Sequence, residues 1–190
     1  MPPDADLIAL MAGYQQGDFA AATALVKCLS PVLHRFFMFQ CVSRIYADDL
    51  LQETWLRIHE VRHTYRPGEP VLPWLYAIAR HIRVDHYRKV RRAEIREQHM
   101  EDLPEAAADN RGGMDRGPDV AALLATLPES QREVIAMLKM SDMSLEEVAR
   151  ATSSSVGSVK QKAHRAYTTL RKRMAGMGFN MVGQGDRHEG

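Results

Sequence analysis

Residues 144–170 read SLEEVARATSSSVGSVKQKAHRAYTTL, and the way this stretch divides decides the fold. Ser144 with Glu147 three residues on is a capping box, which predicts a helix starting at Leu145. Leu145, Val148 and Ala149 give that helix an inner face. The run Ser153-Ser154-Ser155 does not easily continue it, and Ser155 can cap the next helix. In that next helix Val156, Val159, Ala163, Ala166, Tyr167, Leu170 and Met174 fall on one stripe. Ser158, Gln161, Lys162 and Arg165 point away from the stripe, with Lys160 and His164 on its flanks. A plain helical hairpin with a solvated basic face shares this spacing. However, Val156–Met174 holds six basic residues and no acid, whereas solvated faces usually mix signs. The stretch is therefore read as a helix-turn-helix whose second helix enters a DNA major groove. There Arg and Lys can read guanine, Gln can read adenine and Ser can settle on phosphate.

Working outward, Ala121–Leu127 and Gln131–Lys139 complete a set of four helices ending near Met174. Before them, Glu101–Pro118 is rich in Ala, Asp, Gly and Pro without periodicity, the mark of a flexible linker. The first half predicts helices over Ala5–Tyr14, Asp18–Leu29 and Pro31–Val42, punctuated by Gly13, Gly17 and Ser30-Pro31. Tyr46–His63 follows, with Leu50, Leu51, Trp55, Ile58 and Val61 on one broad face and Asp49, Gln52, Glu53 and Leu56 on the other. After a break at Arg66-Pro67-Gly68-Glu69-Pro70, a long helix runs from Trp74 to about Arg92. The expected fold is all-α, with two small helical domains joined by a flexible linker. Their bounds are 1–97, a linker at 98–119, a helix-turn-helix domain at 120–175 and a frayed, glycine-rich tail at 176–190.

The formal net charge of +1 hides a division along the chain. Arg80–Glu97 holds seven basic and three acidic residues, whereas Gln98–Glu133 holds eight acidic and three basic. Two basic blocks separated by an acidic stretch suit two polyanion contacts held by a spacer. Cys28 and Cys41 form neither a metal-type pair nor a disulfide framework, and their apolar neighbours suggest buried thiols in a reducing compartment. No apolar run approaches the roughly 20 residues needed to cross a bilayer, and MPPDADL has no basic or apolar leader character, so a cytoplasmic protein without membrane insertion is expected. His59 and His63 sit four apart, a spacing that can seat two metal ligands. No third ligand with recognisable spacing follows, so neither metal nor cofactor is expected. No phosphate loop, nucleophile elbow or paired-carboxylate arrangement suggests an enzyme.

The stretch from Leu127 to Met174 looks like the C-terminal promoter-binding domain of extracytoplasmic-function (ECF) sigma factors of the sigma-70 family. DDLLQETWLRIHEV (48–61) resembles their polymerase-binding helix, and PWLYAIARHIRVDHYRKVRR (73–92) resembles the helix that handles the downstream promoter element. The resemblance covers about residues 5–175 and implies a non-enzymatic protein whose partners are core RNA polymerase, promoter DNA and an anti-sigma factor. It places Asp49, Gln52 and Glu53 against the clamp helices of the largest polymerase subunit, and Leu56 joins them from its exposed position on the same face. For the downstream element it implies Tyr65, Arg66, Trp74 and His81 beside unstacked bases, with Arg80, Arg83, Arg88, Lys89, Arg91 and Arg92 on phosphates. Trp74, at a helix start, is expected to pack inward rather than to serve as a stacking platform, since a tryptophan so placed usually does. Ser158, Lys160, Gln161, Lys162, His164 and Arg165 would take the upstream element. Two departures stand out: His81 occupies a position where the family often has Asn, and Ser153-Ser154-Ser155 replaces a more usual glycine-containing turn. A stand-alone helix-turn-helix regulator is the competing reading, but it leaves the first half without a purpose.

Overall fold

The computed structural model describes residues 3–40, 46–98 and 120–176, and among them every regular element is helical. The linker expected at 98–119 and the tail at 176–190 lie outside these residues, apart from their first residues, Gln98 and Gly176, as does Cys41. In the first half lie α1 (Asp4–Gln15), α2 (Phe19–Gln40), α3 (Tyr46–Val61) and α4 (Val71–Gln98), with a 3₁₀ turn at Arg62–Thr64. The second half contributes α5 (Val120–Ala125), α6 (Glu129–Met140), α7 (Leu145–Ala151) and α8 (Val156–Gly176).

Helix α2 corrects the break expected at Ser30-Pro31, because it runs continuously through Pro31. A proline inside a helix costs about 3 kcal/mol, since it removes one backbone bond and crowds the preceding turn. Leu25, Leu29, Leu33, Phe36 and Phe37 are all essentially inaccessible on both sides of it, and one such side chain contributes roughly 1.5–3 kcal/mol. Together they outweigh the proline. The ring itself faces solvent, and the neighbouring Ser30 Oγ accepts a bond from Trp55 Nε1 at 2.9 Å, which ties α2 to α3. Pro73, by contrast, falls in the first turn of α4, where its missing N–H has no partner to lose. The helix therefore starts before Trp74, at Val71.

The two halves pack against each other through α4 on α7 and α2 on α6. One apolar cluster spans them, from Leu7, Phe36, Phe37 and Leu75 in the first half to Val134, Met137, Val148 and Val159 in the second. Tyr76 crosses this seam: its ring stands edge-on to Phe36 at 5.0 Å and its hydroxyl shares a hydrogen bond with Ser141. Burial pushes the Tyr76 hydroxyl up to about 12, which keeps it protonated.

Between α7 and α8 the serine run solves a backbone problem. Ser153 has a φ of 50°, the left-handed region that favours glycine. Ser154 N–H reaches Ala149 O at 2.9 Å and Ser153 N–H reaches Arg150 O at 3.2 Å, the two bonds of a Schellman stop. Thr152 Oγ1 then contacts Ser154 Oγ at 2.7 Å, while Ser155 Oγ accepts from Ser158 N–H at 3.2 Å. The glycine missing from the turn is thus replaced by a serine held in glycine's conformation. A Ser153→Gly change is expected to raise stability by about 1 kcal/mol through relief of that strain. Thermal or urea unfolding would register the gain, and a loss would mean that the Ser153 side chain holds the turn.

Candidate polymerase and nucleic-acid interfaces

The capping box predicted at α7 is present: Ser144 Oγ accepts from Glu147 N–H at 3.2 Å, and Glu147 Oε2 accepts from Ser144 N–H at 2.7 Å. This fixes the start of α7, and the serine turn fixes the angle at which α8 leaves it. In α8, Val159, Ala163 and Ala166 are buried, whereas Gln161 and Arg165 are exposed one turn apart on the opposite side. Ser158 and Lys162 are half-buried along one flank. Lys160 and His164 occupy the other, bordering an open groove with Leu138, Met143, Leu145 and Tyr167. The six expected side chains therefore divide into an outward pair and two flanking pairs.

On α3, Ala47, Leu50, Thr54 and Ile58 are buried, and Asp49, Gln52, Glu53 and Leu56 share the exposed side. Leu56 is 68% exposed, unusual for a leucine on a helix with a well-filled inner face. Neither Asp49 nor Glu53 has an ion-pair partner among the described residues, whereas the neighbouring Asp48 meets His34 at 3.2 Å. Thr54 was missed by the face assignment: its Oγ1 donates to Leu50 O at 2.7 Å, which lets a hydroxyl sit in the core.

The loop between the 3₁₀ turn and α4 is rigid for visible reasons. Glu69 N–H bonds to Arg66 O at 3.2 Å across Pro67-Gly68, and Gly68 has a φ of 86°, the hydrogen bond and residue pattern of a type II turn. Tyr65 lies beneath the loop, 2% exposed, and its hydroxyl donates to Glu69 O. Trp74 stands edge-on to Tyr65 at 5.6 Å, is half-buried, and donates from Nε1 to Thr64 Oγ1 at 3.2 Å. Arg66, Pro70, Pro73, Trp74 and Ala77 line a groove beside this loop, with Glu69 and Arg150 at its rim. Glu69 and Arg150 pair at 3.0 Å, which brings α7 to the edge of the groove.

Along α4 the expected cations separate into two sets. His81, Arg88, Lys89, Arg91 and Arg92 are exposed; His81 pairs with Asp85 at 3.1 Å, and Arg91 donates to the Tyr87 hydroxyl at 3.0 Å. Arg80 and Arg83 instead turn towards α6. Arg80 Nε meets Glu133 Oε1 at 3.0 Å, and Arg83, with 7% of its side chain exposed, reaches both Glu129 and Glu133. Among the described residues no group of three His, Cys, Asp or Glu is placed to hold a metal ion, and His59 contacts the Tyr14 hydroxyl at 2.9 Å. No described helix is long and apolar enough to cross a membrane.

Helices placed in this order, with an uncovered acidic face, a basic helix and a helix-turn-helix, define a sigma-70-type initiation factor. Residues 25–93 match the family model for sigma-70 region 2, and residues 119–170 match that for sigma-70 region 4. The ECF RNA polymerase sigma factor SigF of Caulobacter vibrioides is 33% identical over 172 residues, spanning 88% of this chain and 93% of that protein. SigD of Mycobacterium tuberculosis, also an ECF sigma factor, is 31% identical over 192 residues, covering 90% and 85% respectively. Among solved structures, CnrH in complex with the cytosolic domain of CnrY shares the fold, with a TM-score of 0.68 at 22% identity over 90% of this chain and 98% of that one. So does the sigma factor RpoE in complex with the anti-sigma factor NepR from Bartonella quintana, at 0.67 and 23% over 80% and 96%. The chain belongs to the ECF sigma factors of the sigma-70 family: it binds core RNA polymerase and directs promoter-specific initiation. The region 2 match gives α3 and α4 the place that a stand-alone regulator would leave unexplained.

Proposed function

We propose that the exposed side of α3, formed by Asp49, Gln52, Glu53 and Leu56, is the surface that docks on the clamp helices of the largest polymerase subunit. The observation that carries this is a pair of carboxylates without an ion-pair partner among the described residues, flanking an amide beside a 68% exposed leucine, which suits a basic helix with one apolar spot. The groove beside the Arg66–Glu69 turn takes a base unstacked from the downstream element. Tyr65 shapes its floor from within the core, Trp74 and Arg66 line it and offer edges and faces to the base, and His81, exposed further along α4, meets a base beside it. Arg80, Arg83, Arg88, Lys89, Arg91 and Arg92 serve the phosphates, the first two once they are released from α6. Gln161 and Arg165 read the upstream element, with Ser158, Lys160, Lys162 and His164 around them.

In this reading residues 1–97 and 120–175 act as two working units tethered through 98–119, and the protein is cytoplasmic and has no catalytic residue of its own. The two solved relatives of like fold are both complexes, one with a named anti-sigma factor, and a partner of that kind is carried over here. Run-off transcription with core polymerase on a genomic promoter pool tests the reading as a whole. The expected product is a set of transcripts that share an upstream motif and depend on this protein. An identical pattern from core polymerase alone would overturn it.

A further inference from the structure

Val156–Met174 holds six basic residues, and three of them, Arg171, Lys172 and Arg173, lie beyond the exposed pair Gln161 and Arg165. All three are exposed, and none has an acidic partner among the described residues. Elsewhere on the surface the exposed Arg57 and Arg88 each face a carboxylate three residues away, whereas Val156–Gly176 contains no acid at all. Helix α5, which packs on this end of α8 where Leu124 and Leu170 share a cluster, adds none, since Val120–Ala125 is uncharged. Cations favour a helix C-terminus, but that effect is confined to the last turn, where the basic residue is Arg173. Arg171 and Lys172 are left without a role in the free protein.

Their spacing supplies one. Arg171, Lys172 and Arg173 follow Lys160, Gln161 and Lys162 by eleven residues each. Eleven residues are about three helical turns plus 20°, so the second triplet repeats the three faces of the first about 16 Å further along the axis. Leu170 packs on the cluster of Leu124, Leu127 and Ile135 and holds this rotation, which leaves Lys172 exposed in line with Gln161 and Arg165. The major groove is about 12 Å wide, so a side chain about 16 Å beyond one at the groove floor falls on phosphates outside it. We propose that Arg171, Lys172 and Arg173 form a second DNA contact, which grips phosphates flanking the upstream element and adds affinity without reading sequence. This rests on the reading of α8 as the helix that enters the major groove.

The test compares the full-length protein with R171Q/K172Q/R173Q on duplexes carrying the upstream element, over a range of salt concentrations and with flanking base pairs trimmed from either end. The three positions are exposed and glutamine is a good helix former, so the fold is kept. The variant is expected to bind every sequence at least roughly 10-fold more weakly, with a salt slope shallower by about two to three units and an unchanged base preference. Trimming about five base pairs from one end is expected to weaken the wild-type protein and to leave the variant unaffected. The charge-conserving R171K/R173K is expected to keep the wild-type slope. An unchanged slope or an altered base preference in the glutamine variant would overturn the phosphate grip, while Arg165→Ala still tests the groove reading by itself. Intact DNA binding with weakened affinity for core polymerase would overturn it as well, because the cluster would then face an acidic surface of the enzyme. A wild-type protein with no preference at the upstream element would overturn the reading of α8 and the grip together.

Discussion

Replacing Asp49 and Glu53 together by Lys is expected to abolish binding to core polymerase, weakening it by roughly 100-fold or more, since like charges facing across an interface cost several kcal/mol. Asp49 is exposed and Glu53 half-buried, and both lie on one side of α3 with Gln52 and Leu56, so the change reverses the sign of a single patch. The damage to the free protein is small by comparison. Asp49 sits in the first turn of α3, where a carboxylate favours the helix by about 0.3–1 kcal/mol, and Asp48 remains beside it. The buried set Ala47, Leu50, Thr54 and Ile58 is untouched. Circular dichroism should therefore be unchanged while core binding, followed by pull-down or fluorescence anisotropy, is lost. Wild-type affinity in the double variant would remove α3 from the polymerase interface and leave its exposed leucine without an explanation.

Local rules served well wherever local chemistry decides structure. Ser144 and Glu147 specify a helix start through bonds that span three residues, and both bonds are present in the fold. The stripe from Val159 to Ala166 identifies the packed side of α8 because period 3.6 leaves one choice of inner face. The exposed set on α3 follows by the same reasoning. Sequence reading failed where the deciding partner is distant. Pro31 suggests a helix end, yet the side chains that carry α2 through it pack on helices elsewhere in the chain. The basic half of α4 gives no sign that Arg80 and Arg83 differ from Arg88 and Arg91, because Glu129 and Glu133 are reached only through the tertiary fold. Tyr65 shows the same limit. It is aromatic and next to the loop, as read, but the turn at Pro67-Gly68 folds back over it and buries its ring.

In α8, Arg165→Ala is expected to cost about 1–3 kcal/mol of binding to the upstream element and to relax preference at one or two neighbouring base pairs. The direction follows from the helix. Val159, Ala163 and Ala166 are turned into the core, so the exposed side centred on Gln161 and Arg165 is the part of α8 that can enter a groove. An arginine there can take both acceptors on the edge of a guanine, an arrangement no other base pair reproduces. Lys162 is half-buried on the flank with Ser158, nearer the walls of the groove than its floor. A side chain meeting phosphate weakens all sequences alike, so Lys162→Ala should preserve the sequence preference and lower the salt dependence by a slope of about one unit. Binding to a randomised upstream element at several salt concentrations separates the two effects. If Arg165→Ala retains the wild-type preference while Lys162→Ala alters it, then α8 is rotated about its axis relative to this assignment, and the base-reading side is the flank of Ser158 and Lys162.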